Sequence, residues 1–166
     1  SDHAEGLDLR GLVQFLTERS GIPINLVYCK DYEEAITALK SGRAEIGWLG
    51  PFAYLEAARE NKIEALAVGV PKGKGSPNYQ SLFIVRSESP ARSLAEVKNK
   101  RIAVSDRYSA SGYVVPKQEL AEVGINLDNE NEFQDVVRVP NHDKAIRAVI
   151  EGRVDVAAVS SVNLEE

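Results

Sequence analysis

Two distant stretches of the chain read almost alike: Ala35-Ile-Thr-Ala-Leu-Lys-Ser-Gly-Arg-Ala-Glu-Ile46 and Ala145-Ile-Arg-Ala-Val-Ile-Glu-Gly-Arg-Val-Asp-Val156. Each begins with apolar residues at three- and four-residue spacing, the period of one helix face. Each then stops at a glycine, which tolerates the left-handed turn that ends helices, and continues as an arginine and a short apolar strand led by an acid. The echo fits two ordinary helix-to-strand joints that use the same caps. It also fits two similar lobes, each with a small sheet of its own. In that case the stretch 71–78 (PKGKGSPN) and the strand after it carry the chain from one lobe to the other.

The rest of the chain keeps the alternation. Leu9, Leu12, Val13 and Leu16 predict a first helix ending near 20–21. Asp31 is placed to cap a second helix, with Glu34 completing a capping-box-like pair and Gly42 ending it. Pro51 suits the first turn of a helix over 52–61. Further helices are expected at 94–98, at 113–123 before Gly124, and at 143–151 before Gly152. Strands are expected over 22–28, 44–49, 63–70, 79–86, 101–105, 133–139 and 154–159. Strands alternating with helices imply βαβ units and a mainly parallel α/β sheet.

Charge and composition exclude several functions. The 166 residues carry 20 Lys+Arg against 25 Asp+Glu, a net charge of −5, and no basic run longer than two. Phosphate-backbone binding needs a clustered basic face, so no nucleic-acid partner is expected. One cysteine, Cys29, forbids an intrachain disulfide and is expected to be a buried or half-buried thiol. With only His3 and His142 beside it, no metal site is expected. Neither a P-loop GKS/T nor a GxGxxG is present, and no cofactor is expected. No apolar run reaches the roughly 18 residues of a membrane span.

One segment points to chemistry: Ser105-Asp-Arg-Tyr-Ser-Ala-Ser-Gly-Tyr-Val-Val-Pro116. A strand ends, a Ser- and Gly-rich loop follows, and a helix begins. The first N–H groups of a helix lack internal partners and carry the positive end of its dipole. Ser109 and Ser111 add hydroxyls, and Gly112 lets an anion approach the backbone. A tetrahedral oxyanion suits such a place without Lys or Arg. The alternative is that Ser111 only caps the helix. His142, before the helix over 143–151, is either a surface residue or a hydrogen-bond donor to an anion. Trp48 and Leu49 end a strand, where side chains face a ligand crevice or pack as core. Tyr79 and Ser81 open the strand after the Pro/Gly stretch, and Tyr79 offers either a cleft hydroxyl or a strand-edge ring. Ser111, His142 and Asp155 make no convincing catalytic triad without a GxSxG elbow, so no catalytic residue is assigned and the chain is not expected to be an enzyme.

Taken in order, Asp31-Tyr32, the run Gly42-Arg-Ala-Glu-Ile-Gly-Trp-Leu-Gly-Pro-Phe-Ala-Tyr54, Tyr79-Gln-Ser-Leu-Phe-Ile-Val-Arg86, Ser93-Leu94, Lys100-Arg101, Ser109-Ala-Ser-Gly-Tyr113 with Pro116, and His142 with Val154-Asp-Val-Ala157 resemble the phosphonate, phosphite and phosphate substrate-binding proteins of ABC transporters. The resemblance covers nearly the whole chain. It implies a type II periplasmic-binding-protein fold: two α/β lobes, crossing strands as a hinge, and a small phosphorus oxyanion in the cleft. It implies a first lobe over 1–78, a crossover over 79–86, a second lobe over 87–158 and the start of a return crossover over 159–166. It also implies ligand-binding roles for Ser109, Ala110, Ser111, Gly112, His142, Tyr79, Trp48 and Leu49. An inner-membrane ABC permease as partner and a periplasmic or membrane-anchored extracytoplasmic location follow from it too. Family members are longer, so the first lobe is expected to be incomplete. Val162 occupies the place where some relatives carry an acid for a ligand amino group, which disfavours aminoalkyl phosphonates. A ligand-sensing domain of the same fold in a signalling protein is the alternative function.

Overall fold

The structure, a computed structural model, describes residues 9–59, 63–70 and 75–164. Its centre is a four-stranded sheet of β1 (Ser81–Val85), β2 (Arg101–Val104), β3 (Asp135–Arg138) and β4 (Val156–Ser160), in the order β1-β4-β2-β3. Strands β4, β2 and β3 run parallel, and β1 lies antiparallel along β4, with Ser81 opposite Ser160 and Val85 opposite Val156. Parallel neighbours need crossover helices, and these come as α4 (Val115–Glu122) between β2 and β3 and α5 (His142–Ile150) between β3 and β4.

Both sheet faces are covered, which explains the nearly continuous apolar strands. Ile102, Val104 and Val156 pack with Leu120, Ile125, Leu127 and Phe133 on one face. Ala103, Ala157 and Val159 pack with Ala145, Ala148 and Val149 of α5 on the other. The period of two along β2 sends alternate residues to opposite cores.

Three helices precede the sheet: α1 (Arg10–Ser20), α2 (Tyr32–Lys40) and α3 (Pro51–Ala58). The Asp31 side chain accepts from Glu34 N at 2.8 Å, as the capping pattern requires. The Glu34 carboxylate, however, accepts from Lys30 N at 2.8 Å, so the reciprocal half of the box is displaced by one residue. Only Ile36, Ala53 and Ala57 form a buried cluster here, and α1 buries no residue.

The strands expected over 22–28, 44–49 and 63–70 are not formed. No backbone hydrogen bond joins these segments among the described residues. A strand exists only through its pairing, and an apolar run in the sequence says nothing about whether a partner is present. Ile22, Val27, Ile46 and Leu66 accordingly stand 64%, 65%, 65% and 82% exposed. The two copies of the echo therefore part after the glycine: 145–156 continues into paired β4, and 35–46 into unpaired chain. The short helix expected at 94–98 is a 3₁₀ turn, Leu94–Val97. The expected helix over 52–61 ends as α3 at Ala58, and residues 60–61 lie outside the described residues, as do His3 and 71–74 of the Pro/Gly stretch.

An ion pair closes the sheet where β2 begins. Arg101 Nη2 and Nε donate to Asp155 Oδ1 and Oδ2 at 2.7 and 3.1 Å, and Arg101 N donates to the same carboxylate at 2.9 Å. The guanidinium hydrogen bonds push the Asp155 carboxyl down to about 2 from its ordinary 3.8. Both groups keep solvent contact, which discounts the gain. The lowered value means stability that is present above the ordinary carboxylate pKa and lost as pH falls from 3.8 toward about 2. Asp155→Asn is expected to cost about 1–2 kcal/mol at neutral pH. Urea unfolding at pH 7 and pH 2.5 checks this, because the gap between variant and parent should shrink to well under half at the lower pH.

Candidate functional site

The Ser-rich loop joins β2 to α4, and its helical start is wider than an α-turn. Residues Ala110–Val114 form a π-helical turn, in which Val114 N reaches Ser109 O at 3.0 Å and Val115 N reaches Ala110 O. Such turns are rare and concentrate at functional sites. Pro116, in the first turn of α4, has no N–H. Continuing the π pattern would pair Ser111 O with residue 116, and an α pattern would pair Gly112 O with it. Both carbonyls are left free. Ser81 Oγ of β1 donates to Ser111 O at 2.9 Å, and Ser105 N at the end of β2 donates to Gly112 O at 3.0 Å. The loop is thus pinned to two strands.

Ser109, and not Ser111, is the cap: its side chain accepts from Gly112 N at 3.1 Å. That leaves the Ser109 hydroxyl proton free to donate. The N–H groups of Ala110 and Ser111 have no partner among the described residues. Ser109 and Ser111 are buried, at 7% and 3% exposure.

Two further side chains reach Ser111. His142 is the first residue of α5, whose N-cap Asn141 accepts from Lys144 N at 2.9 Å. Its Nε2 lies 3.3 Å from Ser111 Oγ. Burial pushes the imidazole below its ordinary 6.5, against the pull of Asp143 and of the Ala158 carbonyl. His142 Nδ1 is buried with no partner of hydrogen-bonding geometry, although that carbonyl is near enough to favour the protonated ring. Tyr79 contributes its phenol, raised by burial and opposed by a hydrogen bond from Ser111. Ser111 therefore meets an imidazole and a phenol, and neither is a cation at neutral pH.

Sequence reasoning missed Tyr32 as a site residue. Burial raises its phenol most, followed by the neighbouring Tyr79 and Asp106, while the Gly50 N–H opposes the shift. A Cβ on Gly50 would sit 2.9 Å from the Tyr32 hydroxyl, so this approach needs glycine. Tyr32 lies far from Tyr79 in the chain, and only the fold brings them together. The loop itself is also fastened to α2 and α3. Tyr32 N donates to Asp106 Oδ2 at 3.3 Å, Arg107 Nη2 donates to Glu33 Oε2 at 3.0 Å, and the Tyr108 ring stacks on Phe52 at 6.5 Å.

Trp48 and Leu49 are placed elsewhere. The Trp48 ring, half exposed, lies against Gly69, where a Cβ would meet it at 2.9 Å. Leu49 packs on the Ile36, Ala53 and Ala57 cluster. Gly112 also meets a constraint within the fold. A Cβ there would meet Ser105 Oγ and Cβ at 2.4 and 2.5 Å and Ser109 Oγ at 3.0 Å, so its bareness serves the protein's own serines. A surface hollow of about 370 Å³, lined by Lys30, Asp31, Glu33, Glu34 and Thr37, lies at the start of α2, and its three carboxylates repel anions. Half-buried Cys29 nearby has its thiol raised by burial and by Glu34.

The parallel sheet with its antiparallel β1 is that of a two-lobed type II periplasmic binding protein. A binding-protein component of a phosphonate ABC transporter from Pseudomonas aeruginosa superposes with a TM-score of 0.81 at 25% identity, over 95% of this chain and 52% of that one. Residues 7–166 match the family of ABC transporter phosphonate periplasmic substrate-binding proteins, and the chain belongs to that family. It is 27% identical to the phosphonates-binding periplasmic protein of Escherichia coli over 158 residues, 93% of this chain and 46% of that protein. It is 25% identical to the phosphate-import protein PhnD of Mycolicibacterium smegmatis over 150 residues, 87% of this chain and 47% of that protein. The chain spans about half the length of these curated relatives. No helix among the described residues is long and apolar enough to cross a membrane.

Gly112→Ala should destabilise the loop strongly, by about 2 kcal/mol or more, because Ser105 lies at the end of β2 and cannot retreat. The pair Ser105→Gly with Gly112→Ala should recover most of that loss in thermal unfolding.

Proposed function

We propose that the chain is the cleft-forming part of an ABC-importer binding protein that captures a small phosphorus oxyanion: phosphite, phosphate or a simple phosphonate. The observation that carries this reading is the start of the π-turn, where the free N–H groups of Ala110 and Ser111 and the hydroxyls of Ser109 and Ser111 stand together in buried surroundings. Helix-start dipoles with convergent donors hold an anion without a lysine or arginine. His142 and Tyr79 complete the ring around Ser111, and Tyr32 faces Tyr79 from α2.

Selectivity follows from protons. Sulfate carries none at neutral pH, whereas phosphate and phosphite can, and hydroxyls and a neutral imidazole both donate and accept. Residues 1–78 and 87–158 serve as the two lobes, 79–86 as the crossover and 159–166 as the start of the return. Closure brings the 106–108 loop onto α2 and α3 through the contacts of Asp106, Arg107 and Tyr108. The loaded protein then delivers its anion to an inner-membrane permease, outside the cytoplasm. Trp48 and Leu49 contribute as wall and support of the first lobe. Val162, in the turn after β4, offers no charge to a ligand amino group, which favours ligands without one.

Calorimetry against phosphite, phosphate, methylphosphonate and sulfate tests the reading. The best phosphorus oxyanion should bind at least about tenfold tighter than sulfate, and equal affinities would refute it. Ser111→Ala removes one charge-assisted hydrogen bond and should weaken binding roughly ten- to 150-fold. The capping bond belongs to Ser109, so stability should fall only by what losing the contact to His142 Nε2 costs, about 0.5–1.5 kcal/mol. Without ligand, His142 should titrate below 6.5, so its contribution to folding is present above that pH and fades as pH falls below it. Added phosphate should raise this pKa, read from the imidazole proton resonances, because an anion favours the charged ring.

A further inference from the structure

Among the described residues, three buried side-chain polar atoms lack a hydrogen-bond partner: Ser105 Oγ, His142 Nδ1 and Glu132 Oε2. The last is 3.5 Å from Lys98 Nζ and so has an ionic neighbour. The other two flank the start of the π-turn. An orphaned buried hydroxyl costs stability, and native proteins seldom keep one without a reason. Ser105 is 4% exposed and directly follows β2, and its N–H donates to Gly112 O at 3.0 Å, which holds it beside the loop.

Its surroundings say what the hydroxyl is for. The place a Gly112 Cβ would occupy is 2.4 Å from Ser105 Oγ and 3.0 Å from Ser109 Oγ. The two serine oxygens thus flank one point, and only glycine leaves it open. A hydroxyl offers one proton and two lone pairs. Ser109 Oγ spends one lone pair on Gly112 N, which leaves one lone pair and its own proton.

We infer that Ser105 is a positioning residue for the oxyanion: when the anion binds, its hydroxyl, unpaired here, turns to donate to the remaining lone pair of Ser109 Oγ, so that the Ser109 proton is aimed at the anion. The inference rests on the phosphorus-oxyanion reading and adds a residue to it. In the resulting chain Ser105 O–H donates to Ser109 Oγ, and Ser109 O–H donates to the anion. Each bond polarises the next, and low-dielectric surroundings strengthen both. The chain also explains why Gly112 is bare and why Ser105 Oγ is left unpaired in this structure. The hydroxyl is held for the bound state, and folding bears its cost.

The test uses the full chain with whichever of phosphate, phosphite or methylphosphonate binds the parent tightest. Ser105→Ala removes one atom and no existing hydrogen bond, so it should not lower the melting temperature. Affinity should nevertheless fall about three- to tenfold. In the background of Ser109→Ala, where the relay has no second member, the same substitution should change affinity by less than about twofold. A purely structural serine would shift melting and leave this coupling at zero. Unchanged affinity in Ser105→Ala while Ser111→Ala still weakens binding would overturn the Ser105 inference alone. Additive losses for the 105 and 109 substitutions would also overturn it. Failure of the parent to bind any of the three anions would overturn the functional reading and this inference with it.

Discussion

Pro116 has no N–H, and much of the candidate site follows from that missing donor. The carbonyls of Ser111 and Gly112 cannot close into the helix. They accept instead from Ser81 Oγ on β1 and Ser105 N on β2. The first turn has π geometry, and the N–H groups of Ala110 and Ser111, like the first donors of any helix, have no partner among the described residues. A helix start would ordinarily be a frayed end. Here it is tied to the two strands that flank β4, so its donors keep their direction without a ligand. Preorganised donors of this kind lose little to reordering when an anion arrives.

Stability is distributed unevenly between the sheet unit and the α2–α3 pair. Two clusters of eight buried residues each sandwich the sheet. The α2–α3 pair buries four residues, three of which form a cluster with Tyr32, Leu49, Ile63 and Tyr108 at its border. Burial of apolar area is the main stabilising term, so the sheet unit is the rigid platform and the helical pair is the softer part. Tyr108 comes from the platform and enters the border of the other cluster. The residues that follow it, Ser109 to Gly112, are the ones argued to hold the anion. Movement between the two parts therefore acts directly on the site loop.

The sheet unit was legible because each of its signals is local. Gly124 and Gly152 take positive φ at helix ends, the apolar runs around 102, 136 and 157 form strands, and the alternation with helices demands parallel pairing. Residues 22–28, 44–49 and 63–70 carry equally good apolar runs and form no strand, since a ladder depends on a partner that periodicity cannot reveal. The candidate loop was recognisable from its serines, glycine and position before a helix. The division of labour inside it was not. Ser109 and Ser111 have the same chemistry two residues apart, and which one caps depends on where the helical turn begins, which the residue types do not reveal. Tyr32 was hidden for another reason. Next to a capping aspartate it reads as an ordinary first-turn residue, and only tertiary folding sets it beside Tyr79. Gly112 reads from the sequence as room for a ligand, and the crowding of a Cβ there by Ser105 was not legible in it.

The central claim is that the anion is held by the two unpaired N–H groups at the start of the π-turn. Amide proton shifts of the isotope-labelled chain, followed while phosphate is added, test it most directly. The amide resonances of Ala110 and Ser111 should move downfield by the largest amounts and saturate together. Those of Tyr113 and Val114, already donating to Ser109 O, should move little. Saturating shifts confined to other residues, with Ala110 and Ser111 unmoved, would contradict the account.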